Sequence, residues 1–199
     1  MKFRFIILFF LFNFSLQANY NDIDYYINNN MYVFKDYSNA NPNLEEIQIK
    51  KHNISKKIKN TILKYSNLYF KSDKKIPYLI LSHISVESNF KENAIGDNGN
   101  SFGCMQVQLK TALYLIEKDK KLFKKYKKFL KKPELLKDYL LTYEGSIEFG
   151  VFYLFYKSSY ISSNSNVYLN YFKMVSLYNG GFRNHVYVDK VFKIFTSFI

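Results

Sequence analysis

Apolar residues recur at the three- and four-residue spacing of amphipathic helices along most of the chain after residue 53. Ile58, Ile62 and Tyr65 show this spacing near its start. Helices are predicted over about 54–70, 77–87, 108–117, 122–130, 133–140, 146–155, 167–178 and 186–198. The sequence shows no internal repeat and no convincing strand alternation, so the predicted fold class is mainly α.

The helix over 146–155 carries two more specific predictions. Ser146 is predicted to cap it, because a serine hydroxyl can accept a backbone hydrogen bond at that position. Its buried stripe is predicted to comprise Ile147, Gly150, Val151, Leu154 and Phe155. Glycine inside a helix costs about 1 kcal/mol relative to alanine, so we expect another helix to cross closely at Gly150.

The stretch over 76–108 holds the strongest candidate for chemistry. Pro77 suits the first turn of a helix, and Ile80, Ile84 and Glu87 follow at i, i+4 and i+7. Packing of that face removes water from the carboxylate and raises its pKa, which suits Glu87 to act as a general acid. From this stretch alone, the alternative is a glutamate that caps the helix end or pairs with a lysine.

The first 18 residues are typical of a secretory signal peptide. Lys2 and Arg4 precede an apolar run over 5–12, and residues 15–18 offer a possible cleavage point. The run is shorter than the ~20 residues that span a bilayer, although an uncleaved anchor is the alternative. Residues 19–53 lack periodicity and are predicted to form a loop-rich extension. Residues 54–199 are predicted to form one domain.

The chain carries a formal net charge of +13, which favours anionic partners such as cell-wall polymers, phospholipid surfaces or nucleic acid. The predicted export argues against nucleic acid. Eleven lysines and three acidic residues occupy 110–137, where apolar residues recur at helical spacing. The helix there therefore has a lysine face, which either contacts an anionic polymer or membrane surface or is simply solvated.

Cysteine and histidine usage gives no sign of a metal or cofactor. Cys104 is the single cysteine, so neither an intramolecular disulfide nor a cysteine zinc site is predicted. We interpret it as a small buried hydrophobic residue. His52, His83 and His185 show no metal-ligand spacing. The sequence therefore predicts no metal and no cofactor.

Three ordered motifs resemble the soluble lytic transglycosylase family, whose catalytic domain is similar to goose-type lysozyme. The first comprises Glu87-Ser88-x-Phe90, Ala94 and Gly103-Cys104-Met105-Gln106. The second is Ser176-Leu177-Tyr178-Asn179-Gly180-Gly181, and the third is Tyr187-Val188-x-Lys190-Val191. Together they cover roughly residues 76–191. The resemblance implies a lysozyme-like helical domain with a catalytic glutamate at a helix end facing a groove.

The resemblance also implies an activity and a set of site residues. The implied enzyme cleaves the β-1,4 bond between N-acetylmuramic acid and N-acetylglucosamine in peptidoglycan and leaves a 1,6-anhydro end. Glu87 would be the catalytic acid and base. Substrate contacts are expected from Ser88, Met105, Gln106, Tyr178 and Asn179. The alternative for Ser88 is a structural role at the helix end. The alternative for Met105 and Tyr178 is packing in the core.

Departures from the family pattern leave alternatives open. Cys104 replaces a leucine, Gly96 stands where many members have serine, and Leu177 and Gly180 replace alanines. One alternative is a lysozyme-like muramidase that uses water, with Asp97 placing it. Another is a non-catalytic wall-binding or assembly factor. We expect an exported, periplasmic protein whose partners are glycan strands. Because the loop over 98–101 resembles family variants tied to secretion machinery, a secretion or assembly complex is a further expected partner.

Overall fold

The computed structural model describes residues 54–71, 73–161, 167–180 and 185–197. The predicted signal peptide (1–18) and extension (19–53) lie outside these residues. The described helices are α1 (Lys56–Phe70), α2 (Ile76–Ser88), α3 (Leu109–Lys118), α4 (Lys120–Lys131), α5 (Pro133–Leu140), α6 (Tyr143–Ser158), α7 (Val167–Tyr178) and α8 (His185–Thr196). The described part is therefore mainly α, as predicted.

The core is organised around α2. Nine consecutive residues of this helix, Ile76–Ile84, are buried, which is the behaviour of a helix surrounded by others. Helices α1 and α8 pack against it, α6 packs against α1, and α7 packs between α6 and α8. Because the apolar residues before Glu87 are packed against other helices, α2 is a rigid support for the Glu87 side chain in its last turn.

Side-chain caps start three of the helices. Ser55 Oγ accepts from Ile58 N in α1, and Asp119 accepts from two backbone amides at the start of α4. Thr142 Oγ1 accepts from Gly145 N and caps α6 at 3.1 Å. The predicted cap at Ser146 is therefore wrong. The helix starts one turn earlier, and Ser146 is a fully buried residue within it.

A small antiparallel sheet follows α2, and the sequence did not predict it. Its strands are β1 (Ile95–Gly96), β2 (Ser101–Phe102) and β3 (Val107–Gln108), in that spatial order. Ile95 pairs with Phe102, and Phe102 pairs with Val107. Strands of two residues are too short to show a period-two pattern. The sheet holds the loop after Glu87 against the first turn of α3.

Two predictions about α6 are corrected. A Cβ placed on Gly150 would lie 2.5 Å from Met105 Sδ, so the close neighbour is the side chain of a loop residue and not a crossing helix. Phe155 is 38% exposed, whereas Ile147, Val151 and Leu154 are buried as predicted. Phe155 packs instead in a surface cluster, with its ring centroid 5.7 Å from that of Tyr69.

Candidate functional site

Glu87 lies in the last turn of α2, at the wall of a cavity of about 450 Å³. Asn89 and Phe90 follow with φ of 50° and 64°, in the left-handed region that ends helices. The chain turns there into the loop that leads to β1. Asp97, Gln106, Tyr178 and Asn179 line the same cavity. Residues far apart in sequence thus converge on one carboxyl group.

Burial raises the pKa of Glu87 from 4.5 to about 7. The loss of hydration is the largest cause, and the nearby negative charge of Asp97 acts in the same direction. Tyr187 opposes both: its hydroxyl donates to Glu87 Oε1 at 2.5 Å and so favours the carboxylate. The group can therefore gain and lose a proton near neutral pH, as predicted from its place on the apolar face.

Tyr187 is held by two other side chains. His83 Nδ1 lies 2.8 Å from the Tyr187 hydroxyl oxygen, and the Asn179 side chain also hydrogen-bonds that hydroxyl. Burial and the charge of Glu87 raise the pKa of Tyr187 well above 10, so the phenol keeps its proton. It is therefore a permanent donor to the carboxylate and not an acid or base in its own right.

The hydrogen-bond pattern determines the tautomer of His83. Burial lowers the pKa of His83 to about 3, so its ring is neutral. The single hydroxyl proton of Tyr187 goes to Glu87, so we assign the imidazole proton to Nδ1, which donates to the Tyr187 oxygen. Nε2 has no hydrogen-bond partner in the part of the chain that the structure describes. A bare acceptor there is less costly than an orphaned N–H.

Gln106 reaches the cavity because its surroundings leave room. Its backbone has φ of 49°, and its Nε2 donates to Gly103 O at 2.9 Å. A Cβ on Gly96 would lie 2.1 Å from Gln106 Oε1, so a larger residue there would displace the Gln106 amide from this position. The glycine at position 96 therefore leaves the room that the Gln106 amide occupies. The hydrogen bond to Gly103 O holds the Gln106 amide in the wall of the cavity that Glu87 also lines.

Met105 is not a wall of the cavity, and the prediction that its side chain lines the groove is wrong. The side chain is fully buried beside Gly150. Met105 N donates to Ser146 Oγ at 2.9 Å, and Met105 O accepts from Tyr178 at 2.7 Å. The residue positions the loop by its backbone, so its motif position reflects packing.

The other predicted site residues separate into two groups. Tyr178, Asn179 and Gln106 line the cavity with Glu87. Ser88 does not, and its Oγ donates to Ile84 O at 3.2 Å, which is the structural role given as its alternative. Tyr178 also packs against His83, with ring centroids 4.9 Å apart. It therefore combines packing with a place on the cavity wall.

Asp97 is the second carboxylate of the cavity. It is exposed, has φ of 48°, and accepts hydrogen bonds from the Ser101 hydroxyl and from Gln108 Nε2. These donors fix it on the loop between β1 and β2. Cys104, by contrast, is fully buried, and burial raises the pKa of its thiol to about 12. That supports its interpretation as a small hydrophobic residue.

Sequence reasoning missed Tyr187 as a site residue and His83 as its partner. Tyr187 lies 100 positions after Glu87, and no spacing rule connects the two. The described residues contain no group of three or more His, Cys, Asp or Glu side chains that could hold a metal ion. They also contain no helix long and apolar enough to cross a membrane. Comparison of the chain with protein-family models, curated proteins and solved structures gave no match.

Proposed function

We propose that the protein is a lytic transglycosylase that cleaves the β-1,4 bond after N-acetylmuramic acid in peptidoglycan. One observation carries the proposal: Glu87, with a pKa raised to about 7, shares a cavity with Gln106, Tyr178 and Asn179 and accepts from Tyr187. A glycosidic bond needs a proton for its departing oxygen. Glu87 is protonated in part at neutral pH and can supply it.

In the first step, Glu87 gives its proton to the glycosidic oxygen as the bond from that oxygen to C1 breaks. The 2-acetamido oxygen of the N-acetylmuramic acid forms a bond to C1 of that sugar and delocalises the positive charge that develops there. Glu87 is left as a carboxylate, which the Tyr187 hydroxyl stabilises at 2.5 Å. His83 keeps Tyr187 oriented as the donor at this stage.

In the second step, the carboxylate takes the proton of the sugar's 6-hydroxyl, whose oxygen attacks C1. The bond from the acetamido oxygen to C1 breaks, the 1,6-anhydro ring closes, and Glu87 recovers its proton. The attacking group belongs to the same sugar and has a high effective molarity. The reaction therefore needs one carboxyl group, in two protonation states.

A hydrolase that uses water is the second candidate, because Asp97 lines the same cavity as Glu87. In that reaction Asp97 would place the water that attacks C1. Replacing Asp97 with Asn separates the two. We expect the variant to keep its activity within about threefold if the sugar supplies the nucleophile, and to lose about a hundredfold or more if Asp97 activates water.

The proposed setting is the periplasm of a Gram-negative envelope, with glycan strands as partner and a secretion or assembly complex as a further one. The features behind it are the apolar run over 5–12 and the net charge of +13. Fractionation of cells that produce the full chain tests it. Recovery in the cytoplasm without loss of residues 1–18 would contradict it.

The decisive experiment is mass spectrometry of the soluble fragments that the purified protein releases from sacculi. We expect 1,6-anhydromuramoyl ends with the wild type and no release with Glu87→Gln. Reducing ends would support the hydrolase instead. Equal release by the two proteins would show that Glu87 has no catalytic role.

A further inference from the structure

A second cavity of about 450 Å³ lies beside the Glu87 cavity, between the start of α3 and the last turns of α6. Thr111 and Tyr153 line both cavities. The two spaces therefore adjoin at these residues, and a ligand that extends past them reaches both. We call the second space the tyrosine cavity, after Tyr114, Tyr156 and Tyr160, which line it together with Lys110 and Lys157.

The three tyrosines form one hydrogen-bonded group at the surface. The hydroxyl oxygens of Tyr114 and Tyr156 are 2.9 Å apart, and the Tyr160 hydroxyl donates to Tyr156 at 2.5 Å. Tyr114 is 43% exposed and Tyr160 is 56% exposed. Aromatic rings that are fixed in place yet exposed give an amphipathic surface for binding. The C–H faces of a sugar or a peptide chain can pack on such rings.

The charge of the tyrosine cavity is one-sided. Lys110 and Lys157 line it, and its wall contains no acidic side chain among the described residues. Lys157 Nζ lies 5.1 Å from the centroid of the Tyr153 ring, and burial lowers the pKa of this lysine. Neither lysine is in an ion pair with any residue that the structure describes. A partly dehydrated ammonium group without a carboxylate favours an anionic ligand.

We propose that the tyrosine cavity binds a carboxylate of the peptide attached to the aminosugar strand whose glycosidic bond faces Glu87. Lys157 pairs with the carboxylate, and the exposed rings of Tyr114 and Tyr160 support the chain that carries it. The nature of the strand rests on the proposed function. The anion preference rests on the lysines and the exposed rings, and the link to the strand at Glu87 rests on the two residues that the cavities share.

Equilibrium binding tests the inference without turnover, in proteins that all carry Glu87→Gln. The two probes are a disaccharide of β-1,4-linked N-acetylglucosamine and N-acetylmuramic acid bearing a dipeptide, with free carboxylates or with carboxamides. We expect Lys157→Gln to weaken binding of the free acid roughly ten- to a hundredfold, the range for a hydrogen bond between charged groups. Binding of the carboxamide should change less than twofold, and Lys157→Arg should restore most of the affinity.

Lys128→Gln is the matched control. Lys128 Nζ lies 5.3 Å from the centroid of the Phe129 ring on α4, so this variant also removes a lysine from an aromatic face, outside both cavities. We expect no change in affinity for either probe. Equal losses for Lys157→Gln and Lys128→Gln, equal affinity for the two probes, or no binding of either probe would overturn the inference.

The outcome is independent of catalysis. A protein that binds the free acid through Lys157 but releases no fragments from sacculi would uphold the tyrosine cavity and contradict the proposed function. A protein that releases anhydro fragments but binds both probes alike would uphold the proposed function and contradict the inference about the tyrosine cavity.

Discussion

Two glutamates, Glu87 on α2 and Glu148 on α6, are withdrawn from water in this protein but have opposite surroundings. Glu148 is 2% exposed and accepts from the hydroxyls of Tyr65, Tyr126 and Tyr139. Its other oxygen pairs with Lys125 Nζ at 2.8 Å. Glu87 accepts from one tyrosine and is in no ion pair with any described residue.

The difference shows that burial alone does not decide whether a carboxyl group is available to a ligand. Glu148 uses both oxygens within the protein, so its charge is stabilised and no cavity reaches it among those that the structure describes. Glu87 keeps one oxygen without a hydrogen-bond partner among the described residues, and its residue lines a cavity. The hydrogen-bond and ion-pair partners of a buried carboxyl group, more than its depth, decide whether it can still bind a ligand.

Replacing Glu87 with Gln should have the largest effect. We expect the rate of fragment release from sacculi to fall about a thousandfold, the scale of general acid–base catalysis. The amide keeps the volume of the side chain, so the unfolding temperature should not fall. The initial rate and thermal unfolding measure the two effects. Activity within threefold of the wild type would place the chemistry elsewhere.

Glu87 should also make stability depend on pH. Its pKa in the folded protein, about 7, lies above the unfolded value of 4.5. Its protonation therefore contributes stability that is complete below pH 4.5 and is lost as the pH rises to about 7. The loss is on the order of 3 kcal/mol.

The measurement is the difference in unfolding free energy between wild type and Glu87→Gln, at intervals from pH 4 to pH 8. His83 acts in the opposite sense, because its folded pKa of about 3 lies below 6.5, and its contribution is lost as the pH falls. That contribution is common to both proteins and cancels in the difference. A difference that does not change with pH would mean that Glu87 has an ordinary pKa.

Replacing Glu148 with Gln should affect stability and not activity. The change removes the partner of Lys125 and gives the three tyrosine hydroxyls a weaker acceptor. We expect a loss of about 2 kcal/mol in unfolding free energy, typical of hydrogen bonds to a charged group. Urea unfolding measures it. A fall in the rate per folded molecule would contradict the structural role.

Replacing Tyr187 with Phe should give the smallest effect of the four, a roughly tenfold lower rate. The lost hydroxyl favoured the carboxylate, so the pKa of Glu87 should rise and the alkaline limb of the kcat/KM profile should move to higher pH. Tyr139→Phe is the control, because it removes one hydroxyl from Glu148. The control should lower stability and leave the profile in place; an unmoved profile in Tyr187→Phe would exclude Tyr187 as a positioning residue.

The helices could be predicted because their apolar spacing is local. Ala112, Leu115 and Ile116 form the buried side of α3, as the pattern indicated, and α5 begins at Pro133. The predicted buried stripe of α6 was wrong at Phe155, whose side chain packs against neighbouring aromatic rings at the surface. Apolar periodicity predicts which face of a helix points inward, but it does not predict how much of that face the neighbouring elements bury.

The candidate site was predictable only where one segment determined it. The raised pKa of Glu87 followed from its place on the apolar face of α2. The partners of Tyr187 and the close contact of Gly96 with Gln106 depend on how separate segments meet. Met105 was misread because a motif position does not show whether a residue acts through its side chain or its backbone.

The bond between Tyr187 and Glu87 also links the site to the order of synthesis. Helix α8 is the last described helix to be made, and it brings the one described donor to a group produced 100 residues earlier. A nascent polypeptide shorter than this holds its carboxyl group without that donor. Until α8 has docked, the Glu87 carboxylate therefore lacks the hydrogen bond that favours its charged form in the finished protein.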